Sequence, residues 1–133
     1  MLTGGCYCGL VRYQIEGAVF HETNCHCSIC RRTSGAPYVA WFTTAKHGFR
    51  WTAGAPTGFL STARATRSFC PSCGTHLTFE HSDYPTEIDV TICSLDDPEA
   101  VPPRSHIHTA NRPSWVEPGD TLPKHADYLP GEG

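Results

Sequence analysis

The sequence predicts an all-β domain of short strands and many turns, and three observations carry that prediction. Several segments alternate apolar and polar residues with a period of two. The chain holds 12 glycines and 11 prolines in 133 residues, a density of turn formers that disfavours long helices. Charged residues are 17% of the chain, below the rough 25% of ordinary globular proteins. At this length residues 1–133 are read as one domain, large enough to bury roughly two thirds of its unfolded surface.

Taken in order, residues 10–16 alternate strictly. Val11, Tyr13 and Ile15 share one face and Arg12, Gln14 and Glu16 the other, so a half-buried strand runs between Gly9 and Gly17. Residues 24–34 have no useful period and suit a metal-binding loop or a single helical turn. Residues 37–44 are rich in β-formers and read as a strand. Residues 48–52 make another, with Phe49 and Trp51 on one side, before a turn at 54–56. Two short strands, broken near 63–65, fill 58–68. Residues 69–75 resemble a zinc knuckle in which Gly74 relieves crowding at the turn. Leu77 and Phe79 alternate with Thr78 and Glu80. Ile88, Val90 and Ile92 alternate with Asp89, Thr91 and Cys93, giving the last clear strand. Asp96-Asp-Pro-Glu-Ala supplies an N-cap and an early proline for a turn of helix.

From 98 onward the texture changes, with seven of the 11 prolines between Pro98 and Pro130. Residues 98–133 have no core of their own and are expected to wrap the sheet as an extended tail. Ile107, Trp115 and Leu122 are the expected pins, and 130–133 should fray. Trp41, Trp51 and Trp115 are all read as core residues.

The cysteines carry the chemistry. Cys6 with Cys8, and Cys70 with Cys73, form two chelating arms of soft ligands, the set that structural zinc prefers. The 61 residues between Cys8 and Cys70 make such a site a clamp between distant parts of the chain. Cys25, Cys27 and Cys30 are spaced C-x-C-x-x-C and suit a second zinc with its fourth position open, where chemistry can take place. Three thiolates leave that centre at net −1, which favours exchange of soft ligands over polarisation of water. Arg31 and Arg32 follow directly and offer to offset this charge or to hold an anionic substrate. His106, at i, i+2 from His108, is a candidate proton shuttle at the open site. The competing readings are a closed second site completed by His26, His106 or Cys93, and buried cysteines acting as small hydrophobes. Cys93 is otherwise a lone thiol.

The residue balance also excludes. A formal net charge of −3 argues against nucleic acid as the main partner. No run approaches the roughly 20 apolar residues of a membrane helix, and Met-Leu-Thr-Gly-Gly-Cys does not read as a signal peptide. Reduced thiols in a cytoplasmic setting are expected, and cysteines one or two residues apart pair poorly as disulfides.

These residues resemble a known family. Gly4-Gly-Cys-x-Cys-Gly9 with Val11-Arg-Tyr, then Cys25-His-Cys-x-x-Cys30-Arg-Arg-x-Ser-Gly-Ala-Pro37, look like the glutathione-dependent formaldehyde-activating enzyme and centromere protein V family. The likeness continues through Arg67-x-Phe-Cys-x-x-Cys-Gly-Thr-x-Leu-x-Phe79, Ile88-Asp-Val-Thr-Ile92, Ser94-Leu-Asp-Asp-Pro98 and His106-Ile. It implies a zinc-bearing β-tent type fold of short antiparallel strands. It also implies two zinc ions per chain, one on Cys6, Cys8, Cys70 and Cys73 and a second, more labile, on Cys25, Cys27 and Cys30. The implied activity is that of a carbon–sulfur lyase, joining glutathione and formaldehyde into S-hydroxymethylglutathione. The sequence departs from the family pattern at His108 and Asn111. A non-catalytic glutathione, thiol or zinc carrier is the alternative, and a structural module that binds a protein partner is a third reading.

Overall fold

A computed structural model describes residues 1–130, and the part of the expected fraying that falls on 131–133 lies outside the described residues. The all-β expectation holds, with strands arranged in two sheets. Strands β1 (Leu2–Gly5), β2 (Arg12–Ile15) and, further on, β5 (Phe49–Ala53) form a three-stranded antiparallel sheet with β2 in the middle. The larger sheet is built from β3 (Val19–Cys25), β4 (Val39–Ala45), β6 (Thr57–Thr62), β7 (Ala65–Phe69), β8 (His76–His81), β9 (Glu87–Thr91) and β10 (His106–Ile107). Its spatial order is β10-β3-β4-β9-β8-β7-β6. Its pairings are antiparallel except that of β10, which lies parallel to β3 because the tail returns to that edge from the far end of the chain.

The main core lies where the two sheets meet. Tyr13 and Ile15 from the small sheet, with Val11 just before β2, join Phe42, Leu77 and Val90 from the large one. Tyr13 stacks on Phe49 with ring centroids 5.4 Å apart and meets Trp51 edge-on. Its hydroxyl and the Ser94 hydroxyl are hydrogen-bonded at 2.7 Å. Gly4 makes room for this contact, since a Cβ there would stand 2.4 Å from Tyr13 Oη and 2.5 Å from the Ser94 carbonyl. The opposite face of the large sheet carries a smaller apolar cluster of Cys25, Cys30, Trp41 and Ile107. Adjacent β4 residues thus serve different clusters, Trp41 one and Phe42 the other, as a two-residue period requires.

Several expectations are corrected. Of the two readings of residues 24–34, the helical one is nearer: β3 ends at Cys25, and Ser28–Ser34 forms α1, a helix of seven residues rather than a single turn, capped at its C-terminus by Gly35 in the left-handed region. Leu77 and Thr78 are both buried, because β8 is an interior strand rather than a half-exposed one. The strand expected to run on through Ile92 stops at Thr91, and Ile92–Ser94 is a 3-10 turn that leaves Cys93 exposed. Trp115 is 74% exposed and pins nothing. Val101, Ile107 and Val116 are the buried apolar residues of the described tail, beside buried Ser105 and His106, and Leu122 is half-buried. The tail is held mainly by its backbone: Asn24 N–H donates to Ser105 O, His26 N–H to Ile107 O, and His125 N–H to His106 O.

Candidate metal centres

The first cysteine group is assembled from two turns. Cys6 and Cys8 sit in the turn between β1 and β2, where Gly9 takes a φ of +82°. Cys70 and Cys73 sit between β7 and β8, where Gly74, at φ +79°, donates its N–H to Cys70 O. Both glycines occupy the left-handed region that side chains disfavour. Tyr7 N–H donates to Thr75 Oγ1 at 3.0 Å and ties the turns together. All four Sγ atoms lie within 4.8 Å of one another. Cys6 Sγ is 3.6 Å from Cys8 Sγ, and Cys8 Sγ is 3.8 Å from Cys70 Sγ. A tetrahedral zinc about 2.3 Å from each sulfur requires a separation of about 3.8 Å.

Backbone donors already face these sulfurs. Val11 N–H points at Cys6 Sγ at 3.2 Å, and the N–H groups of Ser72 and Cys73 point at Cys70 Sγ at 3.4 Å. The Thr75 hydroxyl and amide, with the Cys8 amide, draw the Cys73 thiol down to about 5. At Cys8 the Leu10 amide favours the thiolate, but desolvation and the neighbouring cysteines prevail and push it up to about 11. Four crowded sulfurs cannot all ionise without a cation among them. The donor set therefore fits zinc.

Cys25, Cys27 and Cys30 also have their Sγ atoms within 4.8 Å of one another. Cys25 is the last residue of β3, Cys27 caps α1, and Cys30 lies in the first turn of that helix. Cys27 Sγ accepts from Cys30 N–H at 3.3 Å. The sulfurs of Cys25 and Cys30, then the Cys30 amide and Arg67, bring the Cys27 thiol down to about 2. Cys25 moves the other way, because its thiol is held protonated by hydrogen bonds to the Cys27 and Cys30 sulfurs, with burial and the charge of those neighbours adding to the effect. This set fits a metal too. Among the described residues no fourth histidine, cysteine or carboxylate joins it within that radius.

The three sulfurs line a cavity of about 700 Å³. Trp41 and Phe79 form apolar wall, and Ile107, His108 and Tyr128 come from the tail. Arg67 also lines it, with Nη1 and Nη2 directed at Cys30 Sγ from 3.6 and 3.5 Å. That guanidinium lies over two adjoining rings, 5.1 Å from the Phe79 centroid and 5.8 Å from that of Trp41. Sequence reading did not single Arg67 out as a site residue. The available signal was a charged side chain on β7 in register with buried Ala65.

The other sequence candidates lie elsewhere. Arg31 and Arg32 line a different cavity, together with Trp115. His106 is fully buried and faces away from the sulfurs' cavity: its Nδ1 is 2.9 Å from His26 Nε2, and its Nε2 is 2.9 Å from the Asp120 carboxylate. The tail histidine lining the cavity is His108. His26 packs on Tyr38, with ring centroids 4.6 Å apart, and joins neither cysteine group. Cys93 also stands outside both groups.

Comparisons with known proteins agree with this picture. A crystal structure of a Rhodobacter sphaeroides protein superposes with a TM-score of 0.61 over 92% of this chain and 98% of that one. At 22% identity that likeness speaks to the fold alone. A Halomonas elongata protein named "Putative glutathione-dependent formaldehyde-activating enzyme" is 32% identical over 127 aligned positions, and the match covers 88% of this chain and 80% of the relative. The family model described as "Glutathione-dependent formaldehyde-activating enzyme" matches residues 1–111. With both cysteine groups inside that span, the chain belongs to the glutathione-dependent formaldehyde-activating enzyme family.

Proposed function

We propose that this chain is a zinc-dependent carbon–sulfur lyase or synthase acting on small thiol adducts, and that it interconverts glutathione plus formaldehyde with S-hydroxymethylglutathione. The carrying observation is the triad of Cys25, Cys27 and Cys30, with three ligand atoms and no fourth among the described residues, lining a substrate-sized cavity. Zinc held there supplies positive charge that favours the thiolate form of a substrate thiol. The first group, on Cys6, Cys8, Cys70 and Cys73, is full with four sulfurs and serves structure.

The chain's own residues do the rest. Arg67 balances the charge of the sulfur cluster at Cys30, and its stacking on Trp41 and Phe79 fixes its direction. Those rings also keep water from the sulfur of the bound thiol. The substrate thiol gives up its proton, its sulfur attacks the aldehyde carbon, and the carbonyl oxygen takes up a proton. His108, at the tail side of the cavity, is the group we assign to that last transfer. In reverse, His108 takes the hydroxyl proton as the carbon–sulfur bond breaks, and the departing thiolate takes up a proton from solvent on release.

The eight cysteines are all free, which supports a reducing, cytoplasmic setting. Among the described residues no helix is long and apolar enough to cross a membrane. The test is zinc content and turnover for wild type and Cys30→Ser, purified under reducing conditions. Two zinc ions falling to one, with circular dichroism intact and turnover lost, support the enzyme. Zinc loss without any wild-type turnover of glutathione and formaldehyde moves the protein to the carrier reading.

A further inference from the structure

Arg31 and Arg32 are left unused by the cysteine cavity, and they help define a second one. Five of the ten lysines and arginines pair with carboxylates: Arg12, Lys46, Arg64, Arg104 and Lys124. Arg67 is committed to Cys30, and Arg112 to the carbonyls of Thr109 and Val116. Among the described residues this leaves Arg31, Arg32 and Arg50 with no side-chain partner. Two of those three line one cavity of about 410 Å³, whose lining holds no carboxylate.

Two further features of that cavity ask for a ligand. Arg31 Nε is buried without a hydrogen-bond partner, and an unsatisfied buried donor is costly. Trp115 lines the same cavity while 74% exposed, presenting an uncovered indole where an interior position was expected. On an acidic chain that pairs nearly every other cation internally, two idle guanidiniums beside a bare indole are a recognition surface. A guanidinium grips phosphate or carboxylate oxygens through parallel N–H donors. An indole face takes up a planar ring. The volume lies within the range of small-molecule sites.

We propose that this cavity binds a small organic oxyanion, a phosphate or carboxylate carried on a planar ring. Arg31 and Arg32 hold the oxyanion and Trp115 stacks on the ring. The site is distinct from the cysteine cavity, although one helix, α1, contributes to both: Cys30 to the first, Arg31 and Arg32 to the second. Its occupant therefore need not be a thiol.

The test is calorimetric titration of the full, zinc-loaded chain with adenosine monophosphate, benzoate, inorganic phosphate and uncharged adenosine. At least one ringed oxyanion should bind with a Kd of about 1 mM or tighter, and the two ringed probes report which oxyanion is preferred. Binding should weaken about tenfold or more in Arg32→Gln and in Trp115→Leu. Both replaced side chains are exposed, and circular dichroism checks that the fold is kept. No saturable binding of either ringed oxyanion, affinity unchanged in both variants, or adenosine binding as tightly as its monophosphate would overturn the proposal. Turnover of thiol adducts is a separate readout, so failure here leaves the enzyme reading untouched.

Discussion

The Arg67 guanidinium points both terminal nitrogens at Cys30 Sγ, from 3.6 and 3.5 Å, across 37 residues of sequence. Sulfur accepts hydrogen bonds weakly as a thiol and well as a thiolate, so the contact favours the ionised triad. Arg67 is 3% exposed, and a buried guanidinium needs an anionic partner to offset its desolvation. Each side of the pair thus justifies the other.

Replacing Arg67 should therefore cost activity more than fold. In Arg67→Met the stem still packs against Trp41 and Phe79, but the charge at Cys30 is gone. A hydrogen bond to a charged group is worth about 1.5–3 kcal/mol, so kcat/KM should fall about tenfold to a hundredfold. Arg67→Lys keeps the charge, loses the fork and should fall between. Steady-state kinetics on glutathione and formaldehyde, with zinc content measured beside them, checks this. Unchanged kinetics in Arg67→Met would remove Arg67 from the site.

The two cysteine groups should differ in what their loss does. Cys70 is fully buried and packs in the main core beside Cys6 and Leu77. Structural zinc contributes about 10–16 kcal/mol in small systems, as much as the whole stability of an ordinary domain, about 5–15 kcal/mol. Cys70→Ser should give an unfolded chain by circular dichroism, whereas Cys30→Ser should stay folded. A graded chelator titration should strip the triad first, with loss of turnover preceding loss of structure. Simultaneous loss of both would count against separate roles.

The tail's hold on the triad loop should be measurable too. Asp120 accepts from buried His106, whose other nitrogen meets His26, the residue between Cys25 and Cys27. That contact draws the Asp120 carboxyl below its ordinary range, chiefly through the His106 hydrogen bond. Asp120→Ala should speed proteolytic cleavage within 113–130 while leaving residues 1–97 resistant. Identical cleavage rates would show that the backbone bonds of the tail suffice without the carboxylate.

The sequence made the cysteine grouping legible because zinc ligands come in short chelating spacings, which survive in one dimension. Strands with strict alternation, such as the one through Val11, Tyr13 and Ile15, were legible for the same reason. Strand β3 was not, because His21 sits at φ +52° and shifts the register between Phe20 and Thr23. Strand β10 is two residues long and exists only through its pairing with Asn24 and Cys25. Arg31 and Arg32 drew attention by adjacency to Cys30, yet the arginine that meets the sulfurs comes from β7. Trp115 was misplaced because backbone hydrogen bonds, more than apolar anchors, set the path of the tail.

Tyr13 gives the protein an alkaline limit whose sign follows from its surroundings. Burial raises its phenol to about 12 from an ordinary 10, against a smaller opposing effect of the Ser94 hydrogen bond. Between those values the folded chain keeps a proton that the unfolded chain releases, so stability falls as pH rises through that window. Its contribution is fully present below about pH 10, and one such group gives at most about 1.4 kcal/mol per pH unit. Tyr13→Phe should remove this slope. At neutral pH it should cost only about 0.5–1.5 kcal/mol, since Ser94 Oγ still bonds Thr91. Urea midpoints at pH 8, 10 and 11 for both proteins test it. Parallel curves would mean that Tyr13 is not the group that titrates on unfolding.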